Sequence, residues 1–138
     1  KTLIQSTRAG TVGINAAINA DKIYASSLVN ARATAEAVLR DSPDLVSIVA
    51  MGVQGNDRSD EDEQCALYVR NLIRGLQPDQ MAVQSLVLSG QESQKYVDPD
   101  LPQFHIKDRE YALKIDTMSF AIVVSRLDDL MVATPEFN

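Results

Sequence analysis

The sequence predicts an α/β fold with three layers, α/β/α, around a mostly parallel sheet that ends in a C-terminal antiparallel hairpin. Segments typical of strands and of helices alternate along the chain, which indicates a parallel sheet covered by helices. An apolar run at residues 45–51 is typical of a central strand covered on both faces. Two further apolar segments flank Leu127-Asp128-Asp129, as in a hairpin. With 138 residues, 45% of them hydrophobic, the chain can form one α/β domain, residues 1–138, around a core.

The first half of the chain alternates strictly between the two kinds of segment. We predict a strand at 2–5, a helix at 11–20, a strand at 22–26, a helix at 28–40 and a strand at 45–51. Ser27 precedes the second helix as an N-cap, and the alanines in that helix favour it. Pro43 then ends the helix before the apolar strand begins.

The second half is mostly helical until the hairpin. We predict a polar loop at 52–59, helices at 59–74, 79–96 and 108–113, and hairpin strands at 120–124 and 130–133. Ser59 caps the first of these helices, whose opening turn is acidic, as the helix dipole favours. Gly75 is a typical residue after a helix end, and Gly90 interrupts the second helix.

The charge composition counts against two classes of partner. Lysine and arginine number 13 and aspartate and glutamate 19, so the net charge is 13 − 19 = −6, and no basic stripe is present. This counts against nucleic acid or an anionic membrane as the main partner. A single cysteine, Cys65, together with the lack of a signal segment or an apolar run of about 20 residues, predicts a cytoplasmic protein. The sequence leaves a homo-oligomer open.

The loop Ser6-Thr7-Arg8-Ala9-Gly10-Thr11 lies between a predicted strand and a predicted helix. Open α/β sheets bind ligands at such strand ends, and helix N-termini attract anions. Hydroxyl groups, a glycine and the forked guanidinium of Arg8 all suit a phosphate or sulfonate. The same residues also fit an ordinary capped loop with a surface arginine, and the spacing alone does not decide between the two.

Acidic residues gather after the apolar strand, at Asp57 and at Asp60-Glu61-Asp62-Glu63. Carboxylates clustered at a strand end suit Mg²⁺, which prefers oxygen ligands. The alternative is a solvated, acidic helix start. No nucleophile is evident, since His105 stands alone, Cys65 falls within a helix, and the segment around Asp116 lacks a second aspartate.

Four motifs follow one another in a fixed order along the chain. They are Gln5-Ser6-Thr7-Arg8-Ala9-Gly10-Thr11, Ser26-Ser27-Leu28-Val29-Asn30-Ala31, Ala50-Met51-Gly52 followed by Glu61-Asp62, and the pair of segments 108–113 and 116–120. As an ordered set they resemble the 2-phosphosulfolactate phosphatase family, Mg²⁺-dependent enzymes associated with coenzyme M biosynthesis. The family loop ends in Gly-Thr-Arg-Ala, whereas this chain has Val12 after Gly10-Thr11 and carries its arginine upstream at position 8.

The resemblance implies which residues form the site. The residues it implies for substrate binding are Ser6, Thr7, Arg8, Gly10, Thr11, Ser27 and Asn30, and those for Mg²⁺ are Glu61 and Asp62. Family members are about twice as long as this chain, and their N-terminal half carries an Asp-x-x-Arg-Ala segment that is not found here. The chain therefore resembles the C-terminal half of a longer phosphatase-like protein, whose missing N-terminal half would be its partner.

Together these observations predict a Mg²⁺-dependent phosphatase that hydrolyses a small acidic phosphate ester, 2-phosphosulfolactate by resemblance. Two alternatives stay open, a non-catalytic anion-binding domain and a structural half-domain of a larger enzyme. The catalytic nucleophile and the general acid are not identified by the sequence.

Overall fold

A computed structural model of the chain describes residues 3–7, 9–53 and 57–137. The first half contains helix α1 (Gly10–Ala16), strand β1 (Ile23–Ala25), a 3₁₀ turn (Leu28–Asn30) and helix α2 (Ala31–Asp41). The second half contains helices α3 (Asp60–Ile73), α4 (Gln80–Ser89), α5 (Gln91–Gln94) and α6 (Ile106–Ala112), then strands β2 (Phe120–Leu127) and β3 (Leu130–Phe137). The described chain is thus a mixture of helices and a small sheet.

The described strands form one sheet in the order β1-β2-β3, and both pairings are antiparallel. In the hairpin, Phe120 lies opposite Phe137 and Leu127 opposite Leu130, so only Asp128 and Asp129 form the turn. Asp128 adopts a positive φ of 53°, which a tight hairpin turn requires and which aspartate tolerates better than most residues. Pro135 is accommodated because β3 lies at an edge of the sheet. The predicted hairpin is confirmed and is longer than expected.

The mostly parallel sheet and the three-layer arrangement are not found among the described residues. Residues 3–5 and 45–51, both predicted as strands, have no strand conformation, and the side chains of Leu45 and Val49 are 82% and 71% exposed. A parallel strand is stable only when neighbouring strands accept its backbone hydrogen bonds and cover its faces. The described part of the chain offers these segments no such neighbours.

The core lies among α2, α3 and α4. Its buried residues are Leu28, Ala31, Ala35, Tyr68, Val69, Leu72, Val83, Val87, Leu113 and Ile115. Helix α2 packs against β2 on one side and α3 on the other, and α3 contacts α4 and α5. The small alanine side chains of α2 allow this close approach on both sides. The predicted helices are found, although α1 ends at Ala16 rather than near residue 20, and α2 lies at the centre of the packing.

Local signals set the helix boundaries. Ser42, at φ 48°, ends α2 just before Pro43, and Gly75, at φ 76°, follows α3. Asp79 caps α4 by accepting hydrogen bonds from the amides of Met81 and Ala82. His105 Nδ1 accepts a hydrogen bond of 3.1 Å from the Lys107 amide, which makes this histidine the N-cap of α6. No helix in the described ranges is both long and apolar enough to cross a membrane.

Candidate active site

A cavity of about 150 Å³ opens where the loop after β1 meets the first turn of α3 and the helices α5 and α6. Its polar lining residues are Ser26, Ser27, Glu61, Asp62, Glu92, Ser93 and Arg109. The remaining wall is Leu28, Cys65, Val87, Tyr96, Ala112 and Leu113. A water molecule needs about 10–15 Å³ of such volume, so the cavity has room for a small organic anion. It brings together Ser27, Glu61 and Asp62 from the residues predicted by the sequence.

The serine wall of the cavity is held in place by Asn30. The Asn30 Oδ1 atom accepts hydrogen bonds from the Ser27 amide at 2.8 Å and from the Ser27 hydroxyl at 3.3 Å. Its Nδ2 atom donates to the carbonyl of Ala25 at 3.5 Å, and only 2% of Asn30 is exposed. Asn30 was predicted to bind substrate, but its carboxamide is occupied by the loop that it shapes. Ser26 and Ser27 are the exposed residues of this wall.

The acidic wall comes from the first turn of α3. The Asp62 Oδ2 atom accepts a 2.7 Å hydrogen bond from the amide of Gly52, which adopts a positive φ of 66°. Glu63 pairs with Arg58, which donates hydrogen bonds to both of its carboxylate oxygens, at 2.5 and 2.6 Å. These hydrogen bonds lower the pKa of Glu63 and raise that of Arg58. Glu61 and Asp62 are thus the acidic residues of α3 that line the cavity.

The carboxylates on this wall suit Mg²⁺ but do not suit a closed metal site. No group of three or more histidine, cysteine, aspartate or glutamate residues that could hold a metal occurs among the residues described. Mg²⁺ commonly keeps several waters and takes one or two protein carboxylates together with the oxygens of a phosphate. Glu61 and the Oδ1 atom of Asp62 fit that requirement.

The basic wall comes from α6. The Arg109 Nη1 atom donates hydrogen bonds to both the carbonyl and the hydroxyl oxygen of Ser93, each at 3.2 Å, and Ser93 is only 5% exposed. Lys95, close by in sequence, pairs with Glu92 at 2.9 Å and lies over the rings of Tyr96 and Phe104. Arg109 and Ser93 were not among the predicted site residues, since nothing in their spacing connects them with Ser27 or Glu61.

Cys65 lines the cavity as a neutral thiol. Burial raises the pKa of Cys65 to about 12, the negative charge of Asp62 adds to the rise, and a hydrogen bond with Ser26 opposes it. The thiolate, which is the nucleophilic form of cysteine, is therefore scarce near neutral pH. The geometry agrees with the sequence interpretation of Cys65 as a packing residue.

The described residues of the loop predicted to bind an anion do not line this cavity. Thr7 and Thr11 bond to each other: the Thr7 hydroxyl accepts from the Thr11 amide at 3.1 Å, and the Thr11 hydroxyl donates to the Thr7 carbonyl at 2.6 Å. Ser6 is exposed, Gly10 begins α1, and Arg8 lies outside the described residues. The hydroxyl groups of both threonines are thus engaged within the loop itself.

Comparison with known proteins points to one family. The family model for 2-phosphosulpholactate phosphatase matches residues 1–125. A curated protein named "Probable 2-phosphosulfolactate phosphatase" from Bacillus subtilis (strain 168) is 30% identical over 129 residues, which cover 91% of this chain and 55% of that protein. The chain thus spans about half the length of this relative. No solved structure matches the chain.

Proposed function

Because the chain belongs to the 2-phosphosulfolactate phosphatase family, we propose that it forms part of a Mg²⁺-dependent enzyme that hydrolyses 2-phosphosulfolactate. The activity is proposed for a longer protein, since the chain spans only about half of its curated relative. One observation carries the proposal: three serines, three carboxylates and an arginine from separate elements line a single small cavity. Such a set can contact a phosphate ester on several sides at once.

Glu61 and Asp62 are the residues that we propose to hold Mg²⁺. The hydrogen bond from Gly52 fixes the Asp62 carboxylate and leaves its Oδ1 atom for the ion. When bound, Mg²⁺ would neutralise charge on the phosphoryl oxygens. The carboxylates would also keep a phosphate away from this wall unless a cation lies between them, so the proposed metal and the substrate depend on each other for binding.

Ser26 and Ser27 would orient the phosphoryl group. Asn30 holds the backbone of their loop, so each hydroxyl group would only need to rotate from its present partner, Asn30 for Ser27 and Cys65 for Ser26, to donate to a phosphoryl oxygen. Cys65 would contribute shape and exclude water, because its thiol stays protonated. Arg8 and the rest of the loop at 6–11 stay proposed as a second anion contact. The water that attacks phosphorus and the acid that protonates the leaving oxygen are not assigned to residues of this chain.

The proposal is tested by removing the two carboxylate charges. Glu61→Gln combined with Asp62→Asn in the full-length protein should lower Mg²⁺-dependent phosphate release from 2-phosphosulfolactate by about 100-fold or more. Phosphate release is measured with and without Mg²⁺, and circular dichroism checks the fold. The matched control is Asp60→Asn, which removes one charge from the same helical turn but at a residue that does not line the cavity.

The control should retain activity. If the double variant hydrolyses the substrate at the normal rate while the fold is intact, Glu61 and Asp62 are only a solvated helix start and the proposed metal site is wrong. If the unaltered protein releases no phosphate from 2-phosphosulfolactate, the proposed substrate is wrong.

A further inference from the structure

Arg109 differs from four other described arginines because it has no carboxylate partner. Arg32, Arg40, Arg58 and Arg126 each lie within 4.0 Å of a carboxylate oxygen, whereas Arg109 has no such partner among the residues described. Its Nη1 atom instead donates two hydrogen bonds to Ser93. Arg109 is nevertheless half-buried and lines the cavity. A guanidinium that loses water without gaining a carboxylate is unfavourable unless an anion completes its contacts.

The bonds to Ser93 fix one end of a planar fork. Nη1 is engaged with the carbonyl and hydroxyl of a buried serine, so the side chain is oriented before any ligand arrives. A guanidinium carries five N–H donors, and those on Nε and Nη2 donate to no side chain or carbonyl among the described residues. Two parallel N–H groups suit an oxyanion, such as a sulfonate, that accepts through two oxygens.

The role proposed for the carboxylate wall of the cavity indicates which anion Arg109 binds. If Glu61 and Asp62 bind the phosphoryl group through Mg²⁺, as proposed above, Arg109 is left for another acidic group of the same substrate. We propose that Arg109, positioned by Ser93, is the specificity-determining residue that binds the sulfonate of 2-phosphosulfolactate. Lys95 does not compete for this role, because Glu92 already pairs with it.

This inference rests on the proposed function. A pair of substrates distinguishes a failure of the inference from a failure of the proposed function. 2-Phosphosulfolactate and 2-phospholactate share the phosphate ester and the carboxylate, but only the first carries a sulfonate. Arg109→Gln in the full-length protein should lower kcat/KM for 2-phosphosulfolactate by about 10- to 100-fold, the range of a charge-assisted hydrogen bond. For 2-phospholactate the loss should stay below about 3-fold, because the removed contact does not exist in that complex.

Two further variants control for folding and for simple charge. Arg109→Lys keeps the positive charge but not the fork, and should give an intermediate loss on the sulfonated substrate. Lys107→Gln removes a charge from an exposed residue of the same helix that does not line the cavity, and should leave both substrates unaffected. Thermal unfolding of each variant shows whether the contact with Ser93 is also needed for stability.

A binding measurement gives a readout that does not need turnover. Calorimetry with 3-sulfolactate and with lactate should show that the unaltered protein prefers the sulfonate and that Arg109→Gln removes the preference. An equal loss on both phosphate esters would overturn the proposal, because Arg109 would then bind the phosphate or the carboxylate. Sulfolactate binding that survives in a folded Arg109→Gln variant would overturn it as well. If the protein prefers sulfolactate but hydrolyses neither ester, the sulfonate subsite is supported and the proposed function is wrong.

Discussion

The carboxylate of Asp116 joins three helices. Its Oδ1 atom accepts a 2.8 Å hydrogen bond from the Arg32 amide at the start of α2. Its Oδ2 atom accepts hydrogen bonds from Tyr68 of α3 at 2.7 Å and from Gln80 of α4 at 3.1 Å. Only 8% of the Asp116 side chain is exposed, and burial together with the bond to Asp116 raises the pKa of Tyr68. Such a buried charge is costly to disturb because its partners have no water to replace it.

Asp116→Asn should therefore destabilise the chain by about 1.5–3 kcal/mol. Asparagine tolerates the positive φ of 56° at this position, so the backbone preference is preserved. The amide would place a donor where three donors already converge. Denaturant unfolding measures the effect, with Asp129→Asn at a fully exposed carboxylate as the control. Equal stability of the two variants would show that Asp116 is not a structural hub.

Cys65 provides a pH-dependent test of the cavity wall. Because the pKa of Cys65 is about 12, alkylation by iodoacetamide should be about 1,000-fold slower at pH 8 than for an unperturbed cysteine, and should still be rising above pH 10. The folded pKa lies above the unfolded one, so the neutral thiol stabilises the fold below about pH 9 and this contribution fades as pH rises toward 12. A labelling rate that levels off near pH 9 would contradict the burial of the thiol.

Interactions that are local in sequence were the predictable ones at this scale. The Asp79 cap and the acidic opening of α3 follow from neighbouring residues. Asp116 meets partners 84, 48 and 36 positions away, and Arg109 meets Ser93 across 16 positions. The spacing of residues along the chain does not predict such long-range contacts. Only the folded geometry reveals that Arg109 belongs to the same cavity as Ser27, Glu61 and Asp62.

The helices and the hairpin were predictable because each carries its own signals of periodicity, capping and turn chemistry. Residues 3–5 and 45–51 were predicted as strands wrongly, because their composition is typical of strands but a strand also needs a partner. Ile4 is 96% exposed and Leu45 is 82% exposed in the described chain. An apolar run indicates that a segment favours burial, but it does not indicate which strand or helix would cover it.

The segment around Gly52 is the element on which the acidic wall depends. A Cβ atom at Gly52 would collide with the backbone carbonyl of Asp57, and the positive φ of 66° adds strain for any other residue. Gly52→Ala should therefore break the bridge between Val53 and Asp57 and release Asp62. We expect a loss of about 1–3 kcal/mol in stability and weaker binding of the Mg²⁺ that we propose at Glu61 and Asp62.

Gly75→Ala is the matched control, since its positive φ is similar but nothing lies near the added methyl group. It should lower stability without changing Mg²⁺ affinity, measured by calorimetry. If both glycine variants weaken Mg²⁺ binding equally, or neither does, the Gly52 amide does not position Asp62.

At the scale of the whole molecule, the described cavity is too poor in positive charge to hydrolyse a phosphate ester by itself. Arg109 is the basic residue among those that line it. Phosphoryl transfer needs several positioned charges and exclusion of water. The 138-residue chain alone should therefore fold but release phosphate from 2-phosphosulfolactate and from an aryl phosphate at near-background rates with Mg²⁺. Phosphate assays beside a protein of the relative's full length test this, and vigorous turnover by the chain alone would show that the site is complete.

The pairing of β1 with β2 sets the order in which the chain can fold. Ile23 lies opposite Val124, so β1, near the N-terminus, can join the sheet only after β2, near the C-terminus, is present. During synthesis the ribosome releases residues from the N-terminus, so β1 has no partner in this sheet until β2 has been made. The hairpin of β2 and β3 closes through a two-residue turn and can form first, whereas joining β1 requires a loop closure across most of the chain. Nascent chains stalled before β2 should consequently expose β1 to chaperones and proteases.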